Sequence, residues 1–160
     1  MTPGINAVIE KNIEHWIHEY SHDESSEAYG LEAVEKMGVA AEKVFKTLVV
    51  SLDGKPLGSK ALAVAVIPVA SKLSMKLMAK ACGVKKAVMA DKADVERSTG
   101  YVLGGVSPFG QKRQLETIID SSAQNCTTVY VSAGRRGLEI ELSPDDLVKL
   151  TEGTIAALCQ

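Results

Sequence analysis

Apolar residues along this chain switch between a helical period and a strand-like alternation, and the switches delimit its elements. Thr2-Pro3 opens a first helix, with Thr as cap and Pro at the first helical position, and Ile5, Val8 and Ile9 follow at helical spacing. Ile13, Trp16, Ile17 and Tyr20 extend that stripe, yet residues 16–20 read equally well as a strand. Residues 21–30 are a polar loop, and a short helix over 31–37 stops at Gly38. Val44 to Ser51 and Ala61 to Pro68 are apolar, β-branched runs either side of a turn at Asp53-Gly54 to Gly58. Ser74 caps a helix through Ala81 that Gly83 ends, Val88-Met89 forms a short strand, and Asp91 caps a further helix with Asp94 at its third position. Leu115 to Ile119, Thr127 to Val131 and Leu138 to Leu142 are three more strands. Ser143-Pro-Asp-Asp146 starts a last helix with cap, proline and acidic first turn together. Strands and helices do not alternate regularly, so the pattern argues for an α/β (α+β) protein with a mixed, barrel-like β-sheet and short peripheral helices, not a doubly wound parallel sheet.

One segment departs from these periods. Between Lys92 and Lys112, Gly100, Gly104, Gly105 and Gly110 stand with Pro108 among apolar residues. Glycine lets a backbone approach another group closely. Apolar surroundings place this backbone in packed structure, so the segment reads as the floor of a pocket with N–H groups free to bind a ligand.

Composition narrows the class. A chain of 160 residues is expected to be one domain, residues 1–160, able to bury roughly 70% of its unfolded surface. Aromatics make up only 4%, so Val, Ile, Leu, Ala and Met must build the core. No apolar run approaches the ~20 residues of a membrane span, and the first residues do not have the layout of a signal peptide. Cys82, Cys126 and Cys159 match no metal or disulfide spacing. A cytoplasmic protein without membrane attachment is expected. The net charge of −2 argues against tight, unaided nucleic-acid binding, although Lys85-Lys86, Lys112-Arg113 and Arg135-Arg136 supply local cations.

Several chemistries fail on the residues. Gly105 and Gly110 have P-loop spacing, but Gln111 and Lys112 stand where Lys and then Ser or Thr are required. His15, His18 and His22 would share a face only in a helix, and no cysteine or second histidine cluster completes a metal site. No Gly-x-Ser-x-Gly elbow is present, and every histidine lies before residue 23, which does not support a hydrolytic triad. Lys46 introduces an otherwise apolar strand, where a lysine ordinarily snorkels to solvent. Tyr20, Tyr29, Thr99, Tyr101 and Ser132 can each be explained singly as completing a hydrogen bond in the core.

Taken in order, eight blocks resemble the YbaK/EbsC family of free-standing aminoacyl-tRNA editing proteins. They include Met1-Thr-Pro, His22-Asp23, Phe45-Lys46-Thr47-Leu, Gly83-Val-Lys-Lys86 and Ala90-Asp-Lys92. Ser98-Thr-Gly-Tyr101, Gly104-Gly-Val-Ser-Pro108 with Gly110-Gln-Lys112, and Val129-Tyr-Val-Ser132 with Gly134-Arg-Arg-Gly137 complete them. The resemblance implies the fold of the prolyl-tRNA synthetase editing domain and removal of mischarged cysteine from tRNA(Pro). It implies as partners the acceptor end of that tRNA and prolyl-tRNA synthetase, and no cofactor. A synthetase pocket separates near-isosteres poorly, which is why a second hydrolytic site is needed. The implied mechanism is substrate-assisted: the cysteine thiol attacks its own ester and leaves as a thiolactone. Such a site needs only to fold the aminoacyl end and stabilise an oxyanion with backbone N–H groups.

Carried over by position, Lys46 and Gly100 form the catalytic set, Lys46 holding the terminal adenosine or its phosphate. Tyr20, Tyr29, Thr47, Tyr101, Gly104, Gly105 and Ser132 become substrate-binding. Ala133 replaces a glycine of the family pattern, which is expected to narrow the pocket or restrict its backbone. The alternatives are an editing enzyme for alanine or serine, which would need an activated water, and a non-catalytic module that binds tRNA ends or the synthetase.

Overall fold

The computed structural model describes residues 1–24, 29–53 and 61–160, with the Tyr29 side chain outside that set. The expected turn between Asp53 and Gly58 therefore falls outside the described residues. Among the described residues five α-helices are formed: α1 (Pro3–Glu10), α2 (Tyr29–Met37), α3 (Met75–Cys82), α4 (Lys92–Thr99) and α5 (Pro144–Thr151). Three caps expected from sequence are made. The hydroxyls of Thr2, Ser74 and Ser143 accept from the N–H groups of Ile5, Leu77 and Asp146. Among the described residues no helix is long and apolar enough to cross a membrane.

The strands are β1 (Trp16–Glu19), β2 (Phe45–Asp53), β3 (Ala61–Pro68), β4 (Lys86–Met89), β5 (Glu116–Asp120), β6 (Val129–Arg135), β7 (Leu138–Leu142) and β8 (Thr154–Ala156). The ambiguous segment is thus resolved as a strand, because Trp16 to Glu19 pair antiparallel with Leu138 to Glu141 of β7. Three strands form one sheet in the order β1-β7-β6, and five form a second in the order β4-β2-β3-β5-β8. In the larger sheet β2 pairs antiparallel with β3 and β4, while β3–β5 and β5–β8 are parallel, so the sheet is mixed. The sequence pattern missed β8, a three-residue strand in which no alternation can show.

Alternation builds the core on both faces of the five-stranded sheet. On one face Phe45, Val49, Val64 and Val66 meet Val131 and Ile140 of the small sheet, with Ile5 and Val8 of α1 closing the end. On the other, Val50, Ala63, Ala65 and Ile67 lie under Met78, Ala79 and Cys82 of α3. The second face of the small sheet is mixed, with Tyr130 packed against Ala33, Val44 and Val69. It carries His18, Tyr130, Glu139 and Glu141, with His18 Nε2 2.8 Å from Glu141 Oε1. The sheets meet at a parallel bridge, Val44 to Tyr130. The expected barrel-like sheet therefore takes the form of two joined sheets, with no closed barrel among the described residues.

The glycine-rich segment is explained largely by close packing. A Cβ on Gly110 would lie 2.5 Å from the carbonyl of Pro3 at the start of α1, and one on Gly4 would lie 2.7 Å from the Ala133 oxygen in β6. A Cβ on Gly105 would sit 3.1 Å from the Arg135 Cα. Gly110 also needs a left-handed backbone, with φ of 70°. Gly38 has nearly the same φ, 68°, but nothing within 4 Å of its notional Cβ. Gly38→Ala should therefore cost about 1 kcal/mol, the strain alone, and Gly110→Ala about 2 kcal/mol more. Urea denaturation of both variants checks this, and equal costs would remove the packing argument.

Candidate active site

The site begins with a strand that loses its neighbour. Strand β4 covers only Val50 to Asp53 of β2. Beyond the hydrogen bond from Ala90 N–H to the Val49 carbonyl (3.0 Å), the edge of β2 runs unpaired by β4 until Val44 reaches β6. The parity of the ladder follows from two bonds. Val69 N–H donates to the Val44 carbonyl (2.9 Å), so even-numbered residues of β2 bond to β3, and odd-numbered ones face the open edge. Thr47 accordingly turns its N–H and C=O into the gap.

That gap is a cavity of about 470 Å³, within the ordinary range for small-ligand sites. Its walls are mainly apolar: Leu31 and Ala33 of α2, Phe45 and Val49 of β2, and Val69 and Val95. The polar groups that converge on it are Tyr20, Lys46, Thr47, Ser132, Glu139 and the Arg135-Arg136 pair. Gly30 brings α2 onto the β3 end, where a Cβ would sit 2.5 Å from Val69 Cγ1.

Each polar group has a definable state. Lys46 Nζ donates to the Val69 carbonyl at 3.3 Å. Burial draws its pKa down from the usual lysine value, and the Cys159 thiol acts in the opposite sense. The Thr47 hydroxyl is buried and has no hydrogen-bond partner among the described residues, a cost of about 1–3 kcal/mol. Ser132 Oγ accepts from Gly134 N–H at 3.1 Å. Burial, with Glu139 adding to it, pushes the Tyr20 phenol up to about 12, so it remains a donor. Glu139, on β7 opposite Ser132, is only 6% exposed, and burial raises its carboxyl to about 8. The protonated form is therefore the major one at pH 7.

Residues 25–150 match the aminoacyl-tRNA editing domain. A protein of Enterococcus faecalis, provisionally named Cys-tRNA(Pro)/Cys-tRNA(Cys) deacylase EbsC, is 40% identical over 141 residues, which are 88% of this chain and 83% of that one. This chain belongs to the aminoacyl-tRNA editing family. YwhH of Bacillus subtilis, an uncharacterised protein, is 32% identical over 124 residues, 78% of this chain and 75% of that one. The editing-domain fold also appears in a crystal structure provisionally described as a trans-editing enzyme for prolyl-tRNA synthetase. The TM-score to it is 0.82 at 19% identity, covering 100% of this chain and 99% of the other. A hypothetical protein, APE2540, superposes with a TM-score of 0.84 at 22% identity over 99% of both chains.

In this editing domain the residues singled out from sequence divide in two. Tyr20, Lys46, Thr47, Gly104 and Ser132 line one cavity although they come from four separate segments. Gly100, Tyr101 and Gly105 do not line it. Gly100 ends α4 with φ of 80°, and its N–H donates to the Glu96 carbonyl at 3.0 Å, which commits it to the helix end. Tyr101 donates through its hydroxyl to the Phe109 carbonyl at 2.7 Å, and its ring is packed on Gly134. Gly105 N–H is bound to the Val102 carbonyl at 2.8 Å. Tyr29 opens α2, but its side chain is outside the described set. Ala133 is fully buried in the core between the sheets and does not line the cavity, contrary to the expected narrowing.

Glu139 was missed by sequence reading. Strand alternation places it opposite the core-facing Leu138 and Ile140, a position that ordinarily means a solvated acid, and only the packing of the site buries it. Cys126 and Cys159 do not line the cavity, and burial raises both thiols, so they are held protonated.

Glu139 carries a pH prediction. Its pKa is raised from 4.5 to about 8, so the stability associated with the neutral carboxyl is complete below 4.5 and is lost as pH rises through 8. Glu139→Gln, neutral throughout, should gain up to about 3 kcal/mol over the natural protein at pH 7 and almost nothing at pH 4. Parallel denaturation curves at the two pH values test the assignment, and a gain independent of pH would refute a buried, neutral Glu139.

Proposed function

We propose that this protein is a free-standing editing deacylase that removes cysteine from mischarged tRNA(Pro), acting as a single domain alongside prolyl-tRNA synthetase. The observation that carries the reading is the open edge of β2. It turns the Thr47 N–H into a largely apolar cavity of a size to take an aminoacylated ribose, and Lys46, whose ammonium is held by the Val69 carbonyl, lines the same cavity. Lys46 is assigned to the terminal adenosine or its phosphate.

The proposed reaction is intramolecular. The substrate thiol loses its proton to solvent water, which later returns a proton to Glu139, and sulfur attacks the ester carbonyl carbon. The Thr47 N–H is assigned as one donor to the resulting oxyanion, and the Gly104 N–H, which has no hydrogen bond to the described residues, as a second. Collapse breaks the bond to the ribose oxygen, which takes up a proton, and leaves a cysteine thiolactone that water later opens. A neutral Glu139 in the wall is the assigned proton donor to that oxygen. Proximity replaces an external nucleophile and is worth several kcal/mol. The relative named as a Cys-tRNA(Pro)/Cys-tRNA(Cys) deacylase supports cysteine as the substrate. Glu139 also favours a second reading, editing of alanine or serine, because its ionised minority could activate a water in the same cavity.

Two variants and one substrate panel test these assignments. Lys46→Ala should lower kcat/KM by at least about 100-fold with an unchanged circular dichroism spectrum; normal turnover would take Lys46 out of the site. Thr47→Val should raise stability by about 1 kcal/mol in urea denaturation, since it removes a buried hydroxyl without a partner among the described residues. An unchanged or lowered stability would show that the hydroxyl is satisfied. Cys-, Ala- and Ser-tRNA(Pro) should be offered in parallel and the products identified by mass. Thiolactone from the cysteine substrate alone supports the substrate-assisted route. Release of alanine or serine favours activated water, and no release favours a binding module.

A further inference from the structure

We propose that Glu32 and His22 are positioning residues that hold the Arg136 guanidinium at the cavity rim, where it grips a phosphodiester of the RNA 3′ end. The inference rests on the proposed reading, since it needs an aminoacylated RNA as the ligand. Glu32, on the inner side of α2, has a side chain only 4% exposed, yet three donors surround its carboxylate. His22 Nδ1 lies 2.7 Å from Oε1, Asp23 N–H donates to Oε2 at 2.8 Å, and Lys36 Nζ is 3.6 Å away. Burial alone would raise this carboxyl, but the hydrogen bonds from His22 and the Asp23 N–H outweigh it and hold Glu32 below the ordinary range.

An ionised Glu32 fixes the histidine tautomer. Nδ1 must carry the proton that it donates to Glu32. On the far side of the ring, His22 Nε2 faces Arg136 Nη1 at 3.5 Å, and a guanidinium can only donate. With Nδ1 committed to Glu32, Nε2 is the ring atom left to face Arg136, so the ring links Glu32 to Arg136 in a fixed direction. Arg136 Nη2 reaches the Leu103 carbonyl, also at 3.5 Å, on the opposite side of the rim. The guanidinium is thus strung between the segment after β1 and the loop after α4, half-buried and lining the cavity. Arginine's planar fork suits a phosphate better than a lysine would. A surface arginine needs no such support, and among the described residues Arg135 beside it pairs at 3.8 Å with exposed Glu19.

The test has one arm independent of catalysis. In the natural protein at pH 7.5, ring ¹⁵N shifts should report His22 with its proton on Nδ1; a proton on Nε2 would overturn the relay. Binding of a short acceptor-stem RNA by fluorescence anisotropy should weaken about tenfold in Arg136→Ala and about fivefold in His22→Ala. The double variant should be no worse than Arg136→Ala alone, because the effect of His22 on RNA is assigned to pass through Arg136. Losses that multiply, or full affinity in Arg136→Ala, would refute the proposal. His22→Gln, whose amide can donate to Glu32 and accept from Arg136, should recover most of the binding and guards against an unfolded alanine variant. In deacylation assays the same variants should raise KM with kcat changed less than twofold. If the natural protein binds the RNA with this pattern but cleaves no ester, the deacylase reading fails and the relay stands.

Discussion

The architecture turns on the place where β2 leaves one sheet and touches the other. Val44 bridges to Tyr130, and Val69 N–H ties the Val44 carbonyl back to the end of β3. Had β4 run farther along β2, the odd-numbered backbone groups at Phe45 and Thr47 would have been spent in a ladder. Because β4 stops at Met89, they open on a cavity instead. The unpaired edge that a sheet ordinarily has to protect is here enclosed by α2, the loop after α4 and the small sheet. Lys46 and Ser132 come together there because their strands meet at that bridge.

Close backbone approach holds this junction in place. The start of α1 sits on Gly110, Gly4 sits on β6, and Gly105 sits on Arg135, so the loop after α4 is pressed against the irregular end of β6. The pairing of β6 with β7 shifts register between Ser132 and Arg135, which turns the Arg135-Arg136 pair toward the rim. Two of the four glycines singled out in the conspicuous segment, Gly105 and Gly110, therefore serve packing; Gly100 ends α4, and Gly104 alone among them reaches the cavity wall.

The charges around the site follow one logic, a buried acid with its state set by its neighbours. Glu32 and Glu139 are both almost fully buried, yet their pKa values move in opposite directions. Glu32 is surrounded by donors and stays ionised; Glu139 has burial without compensating donors among the described residues and favours its protonated form. One is suited to orienting a histidine, the other to handling a proton.

Sequence by itself determined most elements, because local rules act there: Thr2-Pro3, Ser74 and Ser143-Pro144 capped their helices, and β-branched runs became β2 and β3. It also carried the family, through short blocks kept in order. The choice of strand for Trp16 to Glu19 and the existence of β8 depended on partners distant in the chain, Leu138 to Glu141 and Ile118 to Asp120. The site divided the same way. Tyr20, Lys46, Thr47, Gly104 and Ser132 could be picked out as residues, but only tertiary packing gathered them and excluded Gly100, Tyr101 and Gly105. Glu139, Glu32 and the orphaned Thr47 hydroxyl were beyond sequence reading altogether. Whether a polar group is solvated, paired or stranded depends on what surrounds it in space, and that is a property of the folded whole.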